Sequence, residues 1–319
     1  MSDLSTVVTS VSVVIDVCLL VVAVIVLWVG AQRFVESAAR LARRVGLSEL
    51  VVGLSVVALG TSAPEAAVTV DAAVTGRPTI ALANVVGSNV FNLGLVLGGV
   101  ALFRPVVGRR ALVRRDGVVA ILATVGLVAV GGSGTVGRAE GALLLGGFLA
   151  YLAVLFRGAD RTAVPTPVPE SGPQRLPAAV WVVVGLALVV GGANLLVTSA
   201  ADLARLLGAS EWLVGETVVA VGTSAPEVAA AAAAAREGLA DIAAGNLVGS
   251  CIFNALGVLG LAAVLVPLPV GGEASLALLW LVGLTVVAVG LLATGRRLSR
   301  VEGGALVAAN LAKWLIDLL

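Results

Sequence analysis

Apolar runs of about 20 residues recur along nearly the whole chain, and this recurrence restricts the fold more than any other feature. A helix of that length crosses the hydrocarbon core of a bilayer. Of the 319 residues, 59% are hydrophobic and 12% are charged, which is too little charge to cover a water-facing surface. The runs are too long, and alternate too little, for the strands of a membrane β-barrel. The sequence therefore predicts an all-α polytopic membrane protein.

Composition and motifs argue against several functions. The net charge of +1 gives no reason to expect a nucleic-acid partner. The chain has no histidine, and Cys18 and Cys251 lie in apolar segments that suit neither a disulfide framework nor a metal site. No Gly-x-x-x-x-Gly-Lys-Ser/Thr sequence is present, so ATP is not an expected partner. We expect a protein in contact with membrane lipid, without enzyme activity and without a tightly bound cofactor.

Breaks between the apolar runs predict ten transmembrane helices. A stretch rich in proline and glycine at 157–177 predicts a cytoplasmic linker between a first five-helix half, residues 1–156, and a second, residues 178–319. The N-terminus lacks the positive start of a cleaved signal, so the first span is expected to be retained. The predicted spans lie near residues 10–31, 47–75, 79–103, 112–132, 137–156, 178–199, 209–235, 240–267, 273–294 and 300–317.

The positive residues predict the orientation of these spans. Of the 20 lysines and arginines, 16 fall in the connections that follow odd-numbered spans, and 4 fall on the other side. Because positive residues accumulate in cytoplasmic loops, both termini are expected outside the cell.

The two halves repeat each other at a constant offset, which pairs position 53 with position 215. "GLSVVALGTSAPE" at 53–65 matches "GETVVAVGTSAPE" at 215–227 at ten of thirteen positions. At the same offset, "ANVVGSNVFN" at 83–92 matches "GNLVGSCIFN" at 245–254 at six of ten. The offset covers five predicted spans, and five is an odd number, so the second copy must enter the membrane from the opposite face. The sequence thus predicts two inverted five-helix repeats, an arrangement typical of alternating-access transporters.

Each copy of "GTSAPE" places a helix-breaking proline and a carboxylate inside an apolar run. Pro64 and Pro226 lack an N–H and leave carbonyls one turn earlier without their helical partner. Such groups are costly in hydrocarbon unless they line a cavity or meet a ligand, and an intramembrane glutamate indicates a functional site. Helical spacing places hydroxyls beside each glutamate. The candidate residues of this motif are Thr61, Ser62 and Glu65, with Thr223, Ser224 and Glu227 in the second copy.

The second motif adds polar side chains at four-residue spacing. Ser88 and Asn92 share a helix face, as do Ser250 and Asn254. Asn84 and Asn246 lie one turn earlier and are expected to support the site from behind, and Gly87 and Gly249 are expected to let helices approach closely.

These candidates are oxygen donors with a net negative charge, which suits hard cations. Ca²⁺ takes six to eight oxygen ligands in flexible geometry. Two carboxylates balance one Ca²⁺, and several Na⁺ could use the same oxygens. Ligand types alone do not separate Ca²⁺ from Mg²⁺ or other divalent cations.

The paired "GTSAPE" and "GSNVFN"/"GSCIFN" motifs, in regions 53–92 and 215–254, resemble the alpha repeats of the sodium/calcium exchanger family, a part of the cation/Ca²⁺ antiporter superfamily, in its compact microbial form. The resemblance covers essentially the whole chain. It implies a multi-pass protein of the plasma membrane, functional as a monomer, that exchanges Na⁺ for Ca²⁺ by alternating access as spans one and six slide together. By this resemblance Glu65 and Glu227 are the central ligands, and the further ion-site residues are Thr61, Ser62, Thr223, Ser224, Ser88, Ser250, Asn92 and Asn254.

One position departs from part of the family, and other functions of the same fold stay open. Asn254 stands where several members carry aspartate, so the resemblance does not imply co-transport of K⁺. An exchange of Ca²⁺ or Na⁺ for H⁺ remains an alternative, because a desolvated glutamate can take up a proton. A passive cation channel is a further alternative, which would need no counter-ion.

Overall fold

A computed structural model describes residues 2–44, 58–108, 110, 112–157, 177–236, 240–294 and 297–318. It is helical over most of its length, as expected of a polytopic α-helical membrane protein.

The first half contains long helices interrupted by short breaks and π-helical turns. Helix α1 extends well beyond the predicted first span at both ends. The elements are α1 Ser2–Arg44, α2 Ala58–Thr61, α3 Ala63–Val74, α4 Pro78–Phe91, π1 Asn92–Val96, α5 Leu97–Phe103, β1 Val106–Val107, π2 Leu112–Gly117, α6 Val118–Gly131, β2 Thr135–Val136 and α7 Arg138–Arg157.

The second half contains the same kinds of element, but one of its π-helical turns precedes α10, whereas the first half has one after β1. The elements are α8 Ala178–Leu207, α9 Glu211–Val214, π3 Gly215–Val219, α10 Ala220–Thr223, α11 Ala225–Arg236, α12 Ala240–Ile252, π4 Phe253–Val258, α13 Leu259–Leu265, β3 Leu268–Pro269, α14 Gly272–Thr294, β4 Arg297–Leu298 and α15 Arg300–Leu318.

Element boundaries in the two halves correspond at the constant offset found in the sequence. Helices α2, α3 and α5 begin and end at residues that the offset pairs with the first and last residues of α10, α11 and α13. The ends of strands β1 and β2 correspond in the same way to the ends of β3 and β4. The correspondence therefore extends well past the two sequence motifs and needs no insertion between them.

Two short antiparallel ribbons join the halves. Strand β1 pairs with β4, with Val106 opposite Leu298, and β2 pairs with β3, with Val136 opposite Leu268. The offset pairs Val106 with Leu268 and Val136 with Leu298, so the two ribbons have equivalent registers. In one ribbon the first half supplies β1, and in the other the second half supplies its counterpart β3.

Within the described residues, six helices are long and apolar enough to cross a membrane, and a seventh span is possible if the bent pair Glu211–Thr223 and Ala225–Arg236 counts as one. These seven correspond to seven of the ten predicted spans. Of the other three, 47–75 lies partly outside the described residues, and 112–132 and 300–317 coincide with helical segments that carry several charged residues. The number ten stays a prediction.

The predicted third and eighth spans lie at the centre of the molecule. Of the most apolar part of Pro78–Phe103, 83% is buried, against 72% in Ile242–Leu265 and 22% in Val13–Phe34. Most side chains of α4, from Ile80 to Val90, are fully enclosed. The polar residues of the second motif therefore face protein and not lipid, which makes their burial tolerable only if they are paired or bind a ligand.

Candidate functional site

The prolines break their helices where the sequence predicts, at Ser62 and Ser224. Pro64 is the second residue of α3, a position where its missing N–H costs nothing because the first turn has no helical acceptor. Ser62 separates α2 from α3 with φ −90° and ψ 14°, and Ser224 separates α10 from α11 with φ −81° and ψ 8°. At the second break the helix axis bends by 46°.

The serine at each helix break donates a hydrogen bond to the glutamate of the other half. Ser62 Oγ donates to Glu227 Oε1 over 2.9 Å, and Ser224 Oγ donates to Glu65 Oε1 over 3.0 Å. All four side chains are fully buried. The two copies of the motif thus form one cluster, in which each half supplies the hydroxyl that the other half's glutamate accepts.

Further hydroxyls and an amide surround this pair. Ser62 Oγ also lies 3.0 Å from Ser250 Oγ, within hydrogen-bond distance, which brings the second motif of the second half into the cluster. Ser88 Oγ lies 3.4 Å from Thr223 Oγ1, and Thr223 Oγ1 donates to Asn84 Oδ1 over 3.1 Å.

Asn84 has the supporting position that the sequence predicts. Its Nδ2 donates to Thr69 Oγ1 over 2.9 Å and to the backbone carbonyl of Glu65 over 3.4 Å. This amide therefore holds the backbone at the glutamate. Its counterpart Asn246 is half-buried.

Asn89 is a central residue that the sequence reasoning missed. Its Nδ2 donates to the backbone carbonyl of Cys251 over 3.1 Å, and its Oδ1 accepts from Asn254 Nδ2 over 3.2 Å. Asn89 and Cys251 occupy equivalent positions in the repeat. Residues that are identical in both halves identify candidate site positions, and this pair differs between the halves. Both residues nevertheless lie inside the second motif, which is the one signal that could have identified them.

Several buried polar atoms of the predicted site residues have no hydrogen-bond partner among the residues that the structure describes. They are Glu65 Oε2, Glu227 Oε2, Asn254 Oδ1 and both side-chain atoms of Asn92. No lysine or arginine of the described residues forms an ion pair with either glutamate. Buried charge without compensation is very costly. Four of these five atoms are oxygens, and an acceptor set of two carboxylates and two amides fits a hard cation.

Nine of the ten predicted site residues are buried, and eight of these take part in the hydrogen bonds given above. Asn92, at the start of π1, is the ninth and is enclosed with its amide unpaired. Thr61, the last residue of α2, is partly exposed. Whether the residues bind ions, and which ions, is a proposal developed below.

Glycine permits one close helix contact beside the cluster. A Cβ on Gly87 would lie 2.3 Å from the backbone oxygen of Glu216, so only glycine fits there. At Gly249 no described atom lies within 4 Å of that point. Leu54, which the offset pairs with Glu216, lies outside the described residues.

Glu216 forms a buried ion pair that the sequence reasoning also missed. It is 1% exposed, it pairs with Lys313 of α15, and Trp212 Nε1 donates to its Oε2 over 2.8 Å. Lys313 also contacts Asp317 at 2.6 Å. The two partners of the buried pair lie 97 residues apart in the sequence, and no counterpart in the first half suggests them.

Replacing Lys313 with methionine is expected to lower the free energy of unfolding by about 3–5 kcal/mol, because Glu216 would keep a buried charge without a partner. Thermal unfolding of the purified protein in detergent measures the loss. The double variant E216Q/K313M removes both charges and should recover most of it. Equal melting temperatures for K313M and the unmodified chain would contradict the expectation.

Comparisons with known proteins agree with this architecture. The family model described as "Sodium/calcium exchanger protein" matches residues 15–157 and 177–312. The chain belongs to the sodium/calcium exchanger family. Members of this family are integral membrane transporters that exchange cations, with Na⁺ and Ca²⁺ as the transported ions.

Three relatives illustrate the family. The chain is 38% identical over 255 residues to the putative antiporter CaxA of Alkalimonas amylolytica, covering 78% of this chain and 80% of the relative. It is 36% identical to the inner membrane protein YrbG of Escherichia coli K12, covering 78% and 79%. It is 29% identical to the sodium/calcium exchanger MaX1 of Methanosarcina acetivorans, covering 89% and 93%.

Solved structures of the sodium-calcium exchanger NCX_Mj have the same fold. The structure soaked with Na⁺ and Sr²⁺ gives a TM-score of 0.65 at 29% identity, over 94% of this chain and 97% of that one. The structure soaked with 2.5 mM Na⁺ and 0.1 mM Ca²⁺ also gives 0.65 at 29% identity.

Proposed function

We propose that this exchanger moves Ca²⁺ across the plasma membrane against Na⁺, by alternating access to one cation site near the bilayer midplane. Glu65 and Glu227 supply the charge. The remaining ligands come from hydroxyl, carbonyl and amide oxygens of Thr61, Ser62, Ser88 and Asn92 and of their counterparts Thr223, Ser224, Ser250 and Asn254.

The reciprocal serine–glutamate cluster carries this proposal. Each glutamate uses one oxygen for a serine of the other half, and its second oxygen has no partner among the described residues. A divalent cation would neutralise both carboxylates at once, and several Na⁺ would do so together. Ca²⁺ and a full set of Na⁺ cannot be bound at the same time, because both neutralise the same two carboxylates. This competition is the minimum requirement for exchange.

The ribbons support the inverted arrangement of domains 1–156 and 178–319 about a linker at 157–177. Strand β1 follows the third predicted span, and β2 precedes the fifth. The fourth predicted span lies between them, so β1 and β2 lie at opposite faces of the membrane. Strand β3 follows the eighth span and pairs with β2, so the C-terminal ends of spans three and eight also lie at opposite faces. Ten spans with both termini outside satisfy this arrangement.

One chain supplies both halves of the cluster, so the proposed transport unit is a monomer. The two carboxylates are the acidic side chains of the cluster, because Asn92 and Asn254 stand at the remaining central positions. The cluster therefore offers no third carboxylate of the kind associated with co-transport of K⁺. If three or more Na⁺ move per Ca²⁺, turnover carries net charge and responds to voltage.

Ca²⁺ uptake into proteoliposomes tests the coupling. Vesicles containing the purified protein and loaded with Na⁺ are diluted into Na⁺-free buffer with radioactive Ca²⁺. We expect rapid uptake that requires internal Na⁺ and is absent from vesicles loaded with K⁺.

Two further conditions separate the alternatives. Uptake driven by a pH gradient without Na⁺ would replace Na⁺ coupling with H⁺ coupling. Uptake that needs no internal cation at all would indicate a passive pathway and would contradict the antiport proposal.

A further inference from the structure

A groove of about 540 Å³ lies between the predicted third and seventh spans, and none of the proposed cation ligands lines it. One wall is formed by α4, π1 and α5 from Phe91 to Arg104, and the other by α11 from Val228 to Arg236. The lining is apolar except for Arg104 and Arg236, the last lining residue of each wall.

We propose that this groove binds one anionic phospholipid, with its phosphate between Arg104 and Arg236 and an acyl chain along the apolar walls. The wall from Phe91 to Phe103 is about 18 Å long at the rise of a helix. One leaflet of the hydrocarbon core is about 15 Å thick. The groove thus has the length of an acyl chain in a membrane and carries charge where the headgroup lies.

Charge complementarity identifies the headgroup. Arg104 and Arg236 are exposed, and neither has an ion-pair or hydrogen-bond partner among the described residues. Guanidinium groups recognise phosphate with two parallel hydrogen bonds, and basic pockets between membrane helices bind anionic headgroups. The neighbouring Phe103 is 80% exposed, as expected for a side chain that contacts lipid.

The small residues of α11 create the space. Seven consecutive alanines occupy 229–235, and Ala231, Ala232 and Ala235 of this stretch line the groove. On the opposite wall, no described atom lies within 4 Å of a Cβ added to Gly99. A helix face of alanine beside an open glycine leaves a channel that larger side chains would fill.

The repeat provides an internal comparison. The first-half counterpart of the alanine stretch is "AVTVDAA" at 67–73, which is bulkier and partly buried. The counterparts of Arg104, Arg236 and Gly99 are Val266, Val74 and Leu261. The same backbone therefore folds without the arginines, the glycine or the alanines, so the fold itself does not require the groove or its charge.

The groove also contacts the helix that carries one proposed ligand. Val228, which lines the groove, directly follows Glu227 in the first turn of α11. A bound acyl chain would therefore pack on the residue next to the cation cluster.

Native mass spectrometry of the purified full chain, titrated with phosphatidylglycerol, tests the site. Each arginine near an anionic membrane surface contributes about 1 kcal/mol, which corresponds to roughly fivefold in affinity. The R104Q/R236Q variant, which loses two arginines, is therefore expected to bind the lipid about 30-fold more weakly. The control R110Q/R297Q removes two other exposed arginines and should change the affinity less than about threefold. G99L fills the groove without changing charge and should weaken binding as well.

Three outcomes would overturn the proposal. Equal losses in R104Q/R236Q and R110Q/R297Q would indicate only a general surface charge. Equal affinity for phosphatidylcholine would remove the role of the anionic headgroup. Equal binding of glycerol 3-phosphate would identify a soluble phosphate, and not a lipid, as the occupant.

Discussion

Glu65→Gln and Glu227→Gln are each expected to reduce Na⁺-dependent Ca²⁺ uptake by about 100-fold or more. Glutamine keeps the shape of the side chain and an oxygen that can accept from Ser224 or Ser62, so the change removes charge and little else. Leaving a buried charge without its full compensation costs about 3–5 kcal/mol, which corresponds to a factor of 100 or more in binding. Initial uptake rates in Na⁺-loaded vesicles measure the loss.

Glu140→Gln is the matched control, because Glu140 is in the first turn of α7 and lies outside the cluster. It should transport at close to the rate of the unmodified chain. All three variants should elute as monodisperse protein in gel filtration, which separates a lost site from a lost fold. A Glu65→Gln or Glu227→Gln variant that retains half of the uptake would remove that carboxylate from the proposed site.

Gly87→Ala is expected to prevent normal folding or to destabilise the protein severely. The added Cβ would lie 2.3 Å from the backbone oxygen of Glu216 and 2.6 Å from its Cα. Backbone atoms cannot move aside as a flexible side chain can, so α4 and π3 would have to separate. This separation would disturb Ser88, the next residue in the chain, and would open the enclosed centre of the molecule. Yield and melting temperature in detergent measure the effect.

Gly146→Ala serves as the comparison, since Gly146 lies within α7 and no described atom is within 4 Å of a Cβ added there. Alanine in an open helical position should be neutral or should stabilise the helix by up to about 1 kcal/mol. If Gly87→Ala and Gly146→Ala melt at the same temperature, the close approach of α4 to π3 is not needed for stability.

Local features of the fold were predictable because their causes lie within a few residues. Proline cannot donate a backbone hydrogen bond wherever it is placed, so Pro64 and Pro226 define the helix breaks without reference to the rest of the chain. The apolar runs likewise predicted seven spans that reappear as long apolar helices, although α1 extends beyond its predicted limits at both ends. The constant offset between the halves was visible in the motifs and reappears in the boundaries of strands and helices far from them.

The partners of these local features were not predictable, because they depend on how the two halves pack. Ser62 lies three residues before Glu65 in the sequence, yet its hydroxyl donates to Glu227, 165 residues away. Asn89 meets Cys251 and Asn254 only because the two central helices cross at that point. Glu216 of π3 and Lys313 of α15 form an ion pair only because the fold brings their side chains together, and neither residue carries a local signal of it.

The sequence by itself therefore determined a polytopic membrane protein with two equivalent helix breaks, each with a buried glutamate beside it. Backbone chemistry and apolar length, which act within one helix, are sufficient for that result. Only the tertiary structure decided that each glutamate binds the serine of the other half, because a hydrogen bond over about 3 Å requires a packing geometry that no single helix contains.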